Sequence, residues 1–537
     1  MKKFYKSLTV ILLYAFNSFA QLPVETVSGY ITASTTWTKD KIYLLNGFVY
    51  VTNGATVTIE PGTLIKGDKA TKGSLIITRG CKLMADGTQE EPIVFTSNGP
   101  VGFRNYGDWG GIILLGKATI NQLGGEAIIE GGVDDSQGNG TYGGGAAPDD
   151  NDNSGILRYV RIEFAGIAFQ PNSEINGLTC GGVGRGTILE HIQVSYSGDD
   201  SYEFFGGTVN AKYLIAFRGL DDDFDTDNGF SGKLQFLFGL RDPVIADISG
   251  SNGFESDNDA TGSSNAPITH AIISNATIAG PKVTSTTTIN ANFKRAAHLK
   301  KNTQQSLYNT ILMAYPTGLM IDGSAAEGNA TSGLLQVENT IIAGCTVNFE
   351  EASGSTFDIT TWFNDPVKGN ITYTENTEVM LSDAFNLTAP NPLPMAGSPA
   401  LSGALFTNLN LTDTFFTAIT YRGAFGDTDW TMGWANWTPN NSAYTAIEEP
   451  FTNLKFNLYP NPMSTSATLE FNLLKADQVN IAITDISGRV ISDVINEQLG
   501  SGFHQINIPA TQLPAGVYFL LLRSGNENQM IKLTIGD

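Results

Sequence analysis

Short runs of alternating apolar and polar residues follow one another along most of the chain, and no long stretch shows the helical period of 3.6 residues. Gly, Pro, Asn and Asp, which favour turns, separate the runs. Near the start of the pattern Ile59, Ile76, Ile93 and Ile112 recur at intervals of 17 to 19 residues. A near-constant interval with one strand per repeat is typical of a solenoid.

A longer repeat follows and keeps a constant register. Its apolar pairs are Val160/Ile162, Ile192/Val194, Leu214/Ala216 and Phe236/Phe238. Such a register stacks equivalent apolar positions on one another. Parallel strands in other folds need helical crossovers, which this sequence does not predict. Residues 21–438 are therefore predicted to form a parallel β-helix, and a β-propeller is the alternative.

Two segments of this region depart from the repeat. Residues 124–155 are rich in Gly and Asp and are expected to form a long polar loop. Trp430, Trp434 and Trp437 lie at the end of the region. They are predicted to cap the open end of the solenoid, and stacking on sugar rings is the alternative.

The last eighty residues, 456–537, predict a small all-β domain because short apolar runs alternate with turns. Its motifs, in order, contain Tyr459, Pro460, Asn461 and Pro462, then Gly488, then Gly516. They resemble the type A C-terminal sorting domain of Bacteroidetes cargo of the type IX secretion system. The resemblance implies an Ig-like β-sandwich, export by the type IX machinery, removal by a surface sortase, and a secreted or cell-surface location outside the outer membrane.

The N-terminal residues predict export as well. Lys2, Lys3 and Lys6 precede an apolar stretch at 8–19, and small residues follow, so residues 1–20 are predicted to be a signal peptide. No other apolar stretch is long enough to predict a membrane span in the mature chain. Residues 439–455 are predicted to be a linker to the sorting domain.

The central region has its own resemblance. Segments 157–166, 202–210 and 253–258 resemble a group of secreted Bacteroidetes proteins. The resemblance implies a right-handed parallel β-helix and a surface location. Because the group has no established activity, it implies no catalytic residue.

The chain is strongly acidic, with a formal net charge of −22 at pH 7. Such a surface repels nucleic acid and anionic membranes and attracts cations or basic partners. Three cysteines, Cys81, Cys180 and Cys345, are too few for a disulfide framework.

The acidic residues recur with the strands. Stacked coils would place Glu203, Asp225 and Glu255 side by side, where like charges repel. Calcium, which binds six to eight oxygen atoms, would neutralise them. The alternative is that these carboxylates cap turns and take up protons. The candidate calcium ligands are Asp199, Glu203, Asp221, Asp223, Asp225, Asp227, Glu255 and Asp257.

Three functions remain open at this point. The favoured one is a surface protein that binds glycan, as an adhesin does, along its acidic face. The second is a calcium-dependent polysaccharide lyase that takes its base from the basic segment 294–301. The third is a structural stalk, and an enzyme is the less favoured interpretation.

Overall fold

Parallel strands, paired coil to coil, form the first of two units in this computed structural model. The structure describes residues 22–170, 173–444, 456–473, 477–485, 489–500, 502–509, 513–524 and 527–536. The two units divide between Ile447 and Glu448. The predicted signal peptide lies outside the described residues. Among the helices of the described chain, none has the length and apolar character needed to cross a membrane.

One 26-stranded sheet winds through the first unit, and each coil contributes up to three short strands to it. We call the three columns of paired strands stacks A, B and C. The coil interior is filled by stacked apolar side chains, for example Leu75, Ile112 and Leu178. The predicted parallel β-helix is confirmed.

The strands are distributed over the stacks as follows. Stack A contains the second half of Ile42–Val51, then Ser74–Ile77, Gly111–Leu115, Leu178–Val183, Tyr202–Gly207, Phe224–Asp227, Phe254–Ser256, Arg295–Lys300, Thr317–Asp322 and Val347–Glu351. Stack B contains Thr35–Trp37, Thr56–Ile59, Lys82–Asp86, the first halves of Gly155–Glu163, Ile188–Ser195, Asn210–Phe217, Lys233–Leu240 and Ile272–Ala279, then Ser306–Tyr308 and Val337–Glu338. Stack C contains the first half of Val24–Ile31, whose second half belongs to stack A, then the first half of Ile42–Val51, Leu64–Gly67, Ile93–Ser97, the second halves of the same five long strands, Ile311–Met313, Ile341–Ala343 and Ile371–Tyr373.

Short elements decorate the coils. The α-helices are Ser324–Ser332 and Ile359–Phe363. The 3-10 helices are Leu123–Gly125, Pro366–Lys368, Asn376–Val379, Pro399–Leu401, Leu409–Leu411 and Pro439–Asn441. Three small antiparallel pairs join Ala127–Ile128 to Thr141–Tyr142, Ala168–Gln170 to Ser173–Glu174, and Leu381–Asp383 to Asn391–Pro394.

The corner between stacks B and C is built from residues with positive φ. Tyr159, His191, Tyr213 and Phe236 have φ values of 49°, 52°, 59° and 62°. A left-handed backbone costs a side-chain-bearing residue about 1–2 kcal/mol. The rings stack in sequence with centroids 4.5, 4.4 and 4.9 Å apart. Ring pairs of this kind contribute about 0.5–1.5 kcal/mol, which offsets much of the backbone cost.

The structure corrects two details of the predicted repeat. Ile59, Ile76 and Ile93 lie in stacks B, A and C, so their even spacing is not the length of a coil. Leu214 pairs with Leu237 rather than with Phe236, because Phe236 occupies the corner and shifts the following strand by one residue. The earlier registers, Val160 to Ile192 to Leu214, are confirmed.

The tryptophans do not cap an end of the solenoid. Trp434 lies edge-on to His191, 5.8 Å between ring centroids, and Trp437 lies edge-on to Phe217 at 5.1 Å. Both tryptophans are buried. The prediction of an end cap is wrong, because these rings and Trp430, whose centroid lies 5.3 Å from that of Tyr213, cover the flank of the stacked aromatic residues. The burial of Trp434 and Trp437 leaves them no face for a sugar.

The residues that follow are held on the β-helix too. Arg104 donates from Nη1 to the carbonyl oxygens of Pro439 and Ser442 at 2.9 and 3.0 Å. The Tyr444 hydroxyl donates to Glu163. Residues 439–444, assigned to a linker from sequence, therefore pack as part of the first unit, and 445–455 lie outside the described residues.

The Gly- and Asp-rich segment 124–155 also folds back. Ile129, Val133 and Tyr142 are buried against Ile113 and Phe205 of stack A. Apolar side chains spaced along a polar segment thus attach it to the outer face of that stack.

The second unit consists of two antiparallel sheets around an apolar core, as the Ig-like sandwich predicts. One sheet contains Phe456–Tyr459, Ser466–Leu473 and Gly502–Pro509, and the other contains Val490–Leu499, Asp477–Thr484, Gly516–Ser524 and Glu527–Ile535.

The sorting motif residues occupy defined places in this unit. Tyr459 ends the first strand, and Pro460 and Pro462 flank Asn461 in the turn that follows. Asn461 donates to the Lys532 carbonyl at 2.7 Å and accepts from the Thr534 amide at 2.9 Å, so it ties the turn to the last strand. Gly516 begins its strand, and Gly488 lies outside the described residues.

The buried imidazole of His191 predicts a dependence of stability on pH. Burial lowers the pKa of His191 to about 4, against an ordinary value of 6.5. Between those values the unfolded chain binds more protons, so stability rises with pH. His191→Phe, which repeats the residue found at Phe236 in the same column, should remove this dependence. When the pH is lowered from 6.5 to 4.5, the melting temperature of the wild type should fall by about 2–4 °C more than that of the variant. Parallel pH profiles would contradict the assignment.

Candidate functional site

The acidic residues of stack A point outward at equivalent positions. Glu203 pairs with Asp225, and Asp225 pairs with Glu255, so the predicted register of these three residues is confirmed. The column continues to His298 in the next coil. Strand pairing alone therefore brings three carboxylates side by side.

Five carboxylates converge at one end of this column. Oxygen atoms of Asp200, Glu203 and Asp225 lie within 4.8 Å of one another, and so do oxygen atoms of Asp199, Asp200 and Asp221. Asp200 belongs to both groups. We call these five residues the carboxylate cluster.

Asp200 was absent from the ligands predicted by sequence, although a signal for it exists. Asp222 follows it at the offset that separates Asp199 from Asp221. The Asp222 amide donates to Asp200 Oδ1 at 2.8 Å, and the Asn252 amide donates to Asp222 Oδ1 at 2.5 Å. This inner row of carboxylates thus caps the backbone of the next coil, as the turn-capping alternative supposes.

Two further residues reach the cluster from outside the repeat. Asn176 is fully buried, and its Nδ2 donates to Glu203 and, at 3.3 Å, to Glu130 Oε1. Glu130 comes from the segment 124–155 that folds onto stack A. Neither residue follows the coil spacing, so the sequence offered no signal for them.

Negative charge in the cluster is not balanced by side-chain cations. In the described part of the chain, no Lys or Arg forms an ion pair with any of the five carboxylates. Burial, and then the neighbouring carboxylates, raise the pKa values of Asp200, Glu203 and Asp225 well above their ordinary range. Burial raises the pKa of Asp221 to about 6. Without a cation, these carboxyl groups take up protons at a higher pH than ordinary carboxyl groups do.

In the following coils, basic side chains neutralise the carboxylates of this column. Lys300 pairs with Glu255, and Lys301 Nζ lies 2.7 Å from Asp257. Burial raises the pKa of Glu255, but His298 and Lys300 outweigh it and lower the pKa to about 2. Asp227 lies beside this pair, and its Oδ1 accepts from the Asn228 amide. None of these three predicted ligands belongs to either group of converging oxygen atoms, although Glu255 is the neighbour of Asp225 in the stack.

Asp223 also stands apart, inside the coil. Its Oδ1 lies 2.8 Å from Arg241 Nη1, and both side chains are fully buried. Asp223 is among the ligands predicted from sequence. The strand begins at Phe224, so Asp223 lies in the preceding turn and not on the outer face of the strand.

The cluster and the neighbouring Asn176 have buried oxygen atoms that suit a hard cation. Oδ1 of Asp221, Oδ1 of Asp225 and Oδ1 of Asn176 are buried and have no hydrogen-bond partner among the residues described. Calcium prefers carboxylate and amide oxygen ligands at about 2.3–2.6 Å. The donor set therefore matches that ion.

Two models of protein families match the chain. A family model described as a pectate-lyase like beta helix domain matches residues 29–384. One described as a secretion system C-terminal sorting domain matches residues 457–536. No curated protein matches the chain.

Similar solved structures are phage tailspikes. The enzymatically active domain of tailspike protein 4 from bacteriophage CBA120 has 9% identity and a TM-score of 0.24, covering 95% of this chain and 63% of that one. The enzymatically active domain of tailspike protein 2 from the same phage has 9% identity and a TM-score of 0.24, and the match covers 92% of this chain and 72% of that one. The Dettilon tailspike protein has 10% identity and a TM-score of 0.23, and the match covers 93% of this chain and 85% of that one. The TM-scores are too low for these structures to bear on function.

Two aspartates two residues apart should respond oppositely to substitution. Asp223→Ala leaves Arg241 buried without its partner and should cost about 3–5 kcal/mol. Asp225→Asn, measured in chelator, removes one charge from a group of like charges and should leave stability equal or higher. Thermal unfolding followed by circular dichroism measures both. A loss of similar size in the two variants would mean that Asp225 is also held by an ion pair.

Proposed function

The chain belongs to the family of pectate-lyase-like β-helix domains and carries a secretion sorting domain, and we propose that it binds extracellular glycan through calcium held by the carboxylate cluster. The sorting domain indicates export by the type IX secretion machinery to the secreted or cell-surface space. Removal of that domain by a sortase remains a prediction.

One observation carries the proposal. Among the described residues, no Lys or Arg pairs with any of the five converging carboxylates, whereas Glu255 and Asp257 in the following coil have lysines. Side-by-side carboxylates without a cation are unfavourable in a parallel stack. A divalent cation would remove that repulsion and present an open coordination position to a ligand.

The ligand class follows from the cation and from the family. Calcium bound by protein carboxylates binds further oxygen ligands, including the carboxylates of acidic polysaccharides. The family is named for lyases of pectate, a polymer of that kind. An acidic glycan would otherwise be repelled by a chain of net charge −22, so its binding should require the metal.

The basic side chains near the cluster favour a binding protein over a lyase. A lyase base needs a lowered pKa. Burial would lower the pKa of Lys300, but Glu255 and Asp257 outweigh it and raise the pKa. Arg295 is held by Glu350 through two bonds of 2.8 and 2.7 Å. Lys300 and Arg295 of segment 294–301 are thus held as cations by carboxylates.

Calcium binding should release protons. Because Asp221 has a pKa of about 6 and its neighbours are raised further, the metal must displace protons, and the affinity should increase from pH 5 to pH 8. Calorimetry in two buffers of different ionisation enthalpy measures the number released. At a calcium concentration 100 times the Kd, the stability gain should be about 2.7 kcal/mol.

The matched variants for this measurement are Asp225→Asn and Glu351→Gln. Glu351 is an exposed carboxylate of the same stack, outside the cluster. Asp225→Asn should weaken calcium binding at least tenfold, about 1.4 kcal/mol. Glu351→Gln should leave it unchanged. Equal calcium affinity in the two variants would show that the cluster does not bind calcium.

Glycan binding should follow the metal. Polygalacturonate should bind the wild type in calcium and not in EGTA, and Asp225→Asn should lose most of this binding. Dextran, which lacks carboxylates, is the control. Ultraviolet absorbance of unsaturated uronate would indicate a lyase instead, and absence of any polymer binding in calcium would leave a structural stalk.

A further inference from the structure

A second feature of the first unit lies outside the carboxylate cluster. A cavity of about 380 Å³ opens beside the first residues of two stack B strands, under the segment 409–413. Its polar lining consists of Ser231, Lys233, His270, Asn410, Thr412 and Asp413. Ile272 and Leu409 complete the wall. The volume falls in the range of small-molecule sites, about 300–1,000 Å³.

The wall contributed by segment 409–413 is fixed in place by its neighbours. Thr417 donates its amide to Gln235 Oε1 at 2.8 Å, and Gln235 Nε2 donates to the Thr417 carbonyl at 2.9 Å. Asn410 Nδ2 donates to the Tyr308 hydroxyl at 2.8 Å. Leu411 is buried in an apolar cluster with Ile272. The cavity is therefore formed before any ligand enters.

Charge in the cavity is balanced. Lys233 Nζ lies 3.1 Å from Asp413 Oδ2, and Asp413 Oδ1 accepts from the Phe415 amide at 2.8 Å. An anion would meet the carboxylate and a cation would meet the amine, so neither is favoured. A lipid or a flat apolar ring is disfavoured because most of the lining residues are polar.

The remaining lining groups offer mainly hydrogen-bond acceptors. The Ser231 and Thr412 hydroxyls donate to the carbonyl oxygens of Gly207 and Leu409 at 3.4 and 2.8 Å, which leaves their oxygen atoms as acceptors. Asn410 gives one amide hydrogen to Tyr308 and carries a second, together with its Oδ1 acceptor. Nε2 of His270 has no hydrogen-bond partner within the described structure. Burial lowers the pKa of His270, which favours the neutral imidazole. Sugar hydroxyls, which donate and accept equally, match such a set.

We propose that this cavity is a saccharide-binding subsite that holds one or two sugar units without a metal. The proposal rests on the proposed function in that both ligands are extracellular glycan, and it adds a second contact on another strand stack. Unlike the cluster, the cavity offers no group of unpaired carboxylates, so its occupancy should not respond to calcium.

Saturation-transfer NMR of the full chain in EGTA tests the subsite, with D-galactose, N-acetyl-D-glucosamine and D-galacturonate as probes. At least one probe should show binding to the wild type. Thr412→Trp, which fills the cavity from an exposed position, should reduce the signal at least fivefold. Thr414→Trp, also exposed but outside the lining, should leave the signal unchanged.

Asp413→Asn keeps the side-chain volume and the bond to the Phe415 amide, and it should weaken the same probe without changing the melting temperature. No binding by any probe in EGTA would overturn the subsite. Equal signals for the two tryptophan variants would overturn it too. One outcome is that a probe binds in EGTA as expected while Asp225→Asn leaves calcium-dependent polymer binding intact. That result would contradict the proposed role of the cluster and would support the subsite.

Discussion

Every part of the first unit depends on one constraint: parallel coils stack in register, so each residue lies beside its equivalent in the next coil. For apolar residues this is favourable, and it produces the continuous core and the column Tyr159, His191, Tyr213 and Phe236. For charged residues it is unfavourable, because a carboxylate that recurs with the coil must face another carboxylate.

Stack A shows two responses to that repulsion along a single column. At the coils of Glu255 and Asp257 the chain supplies Lys300 and Lys301, and the pKa of Glu255 is low. At the coils of Glu203 and Asp225 no described Lys or Arg pairs with these carboxylates, and their pKa values are raised. The difference is one of sequence rather than of fold, since the backbone pairing is the same in both places. A contact that varies on a constant scaffold is the usual sign of a site.

Much of this could be predicted from sequence because the β-helix repeats. Coil spacing alone gave the register of Glu203, Asp225 and Glu255. Prediction failed where the repeat is interrupted. Asp223 lies one residue before its strand, and Phe236 occupies a corner that shifts the register by one residue. Contacts between distant segments left no periodic signal: Glu130 reaches the cluster from a folded-back loop, Trp434 covers a flank, and segment 409–413 closes a cavity.

The clamp on residues 439–444 has a mechanical consequence. The strand Gly155–Glu163 that receives Tyr444 has paired coils on both sides, so the chain leaves the β-helix from an inner coil and not from an end. Any covalent attachment made beyond residue 444 would transmit force to this flank. Pulling there loads the Arg104 and Glu163 contacts first, before any coil is peeled from an end. A load applied beyond residue 444 would therefore reach the β-helix at an inner coil and not at its first or last coil.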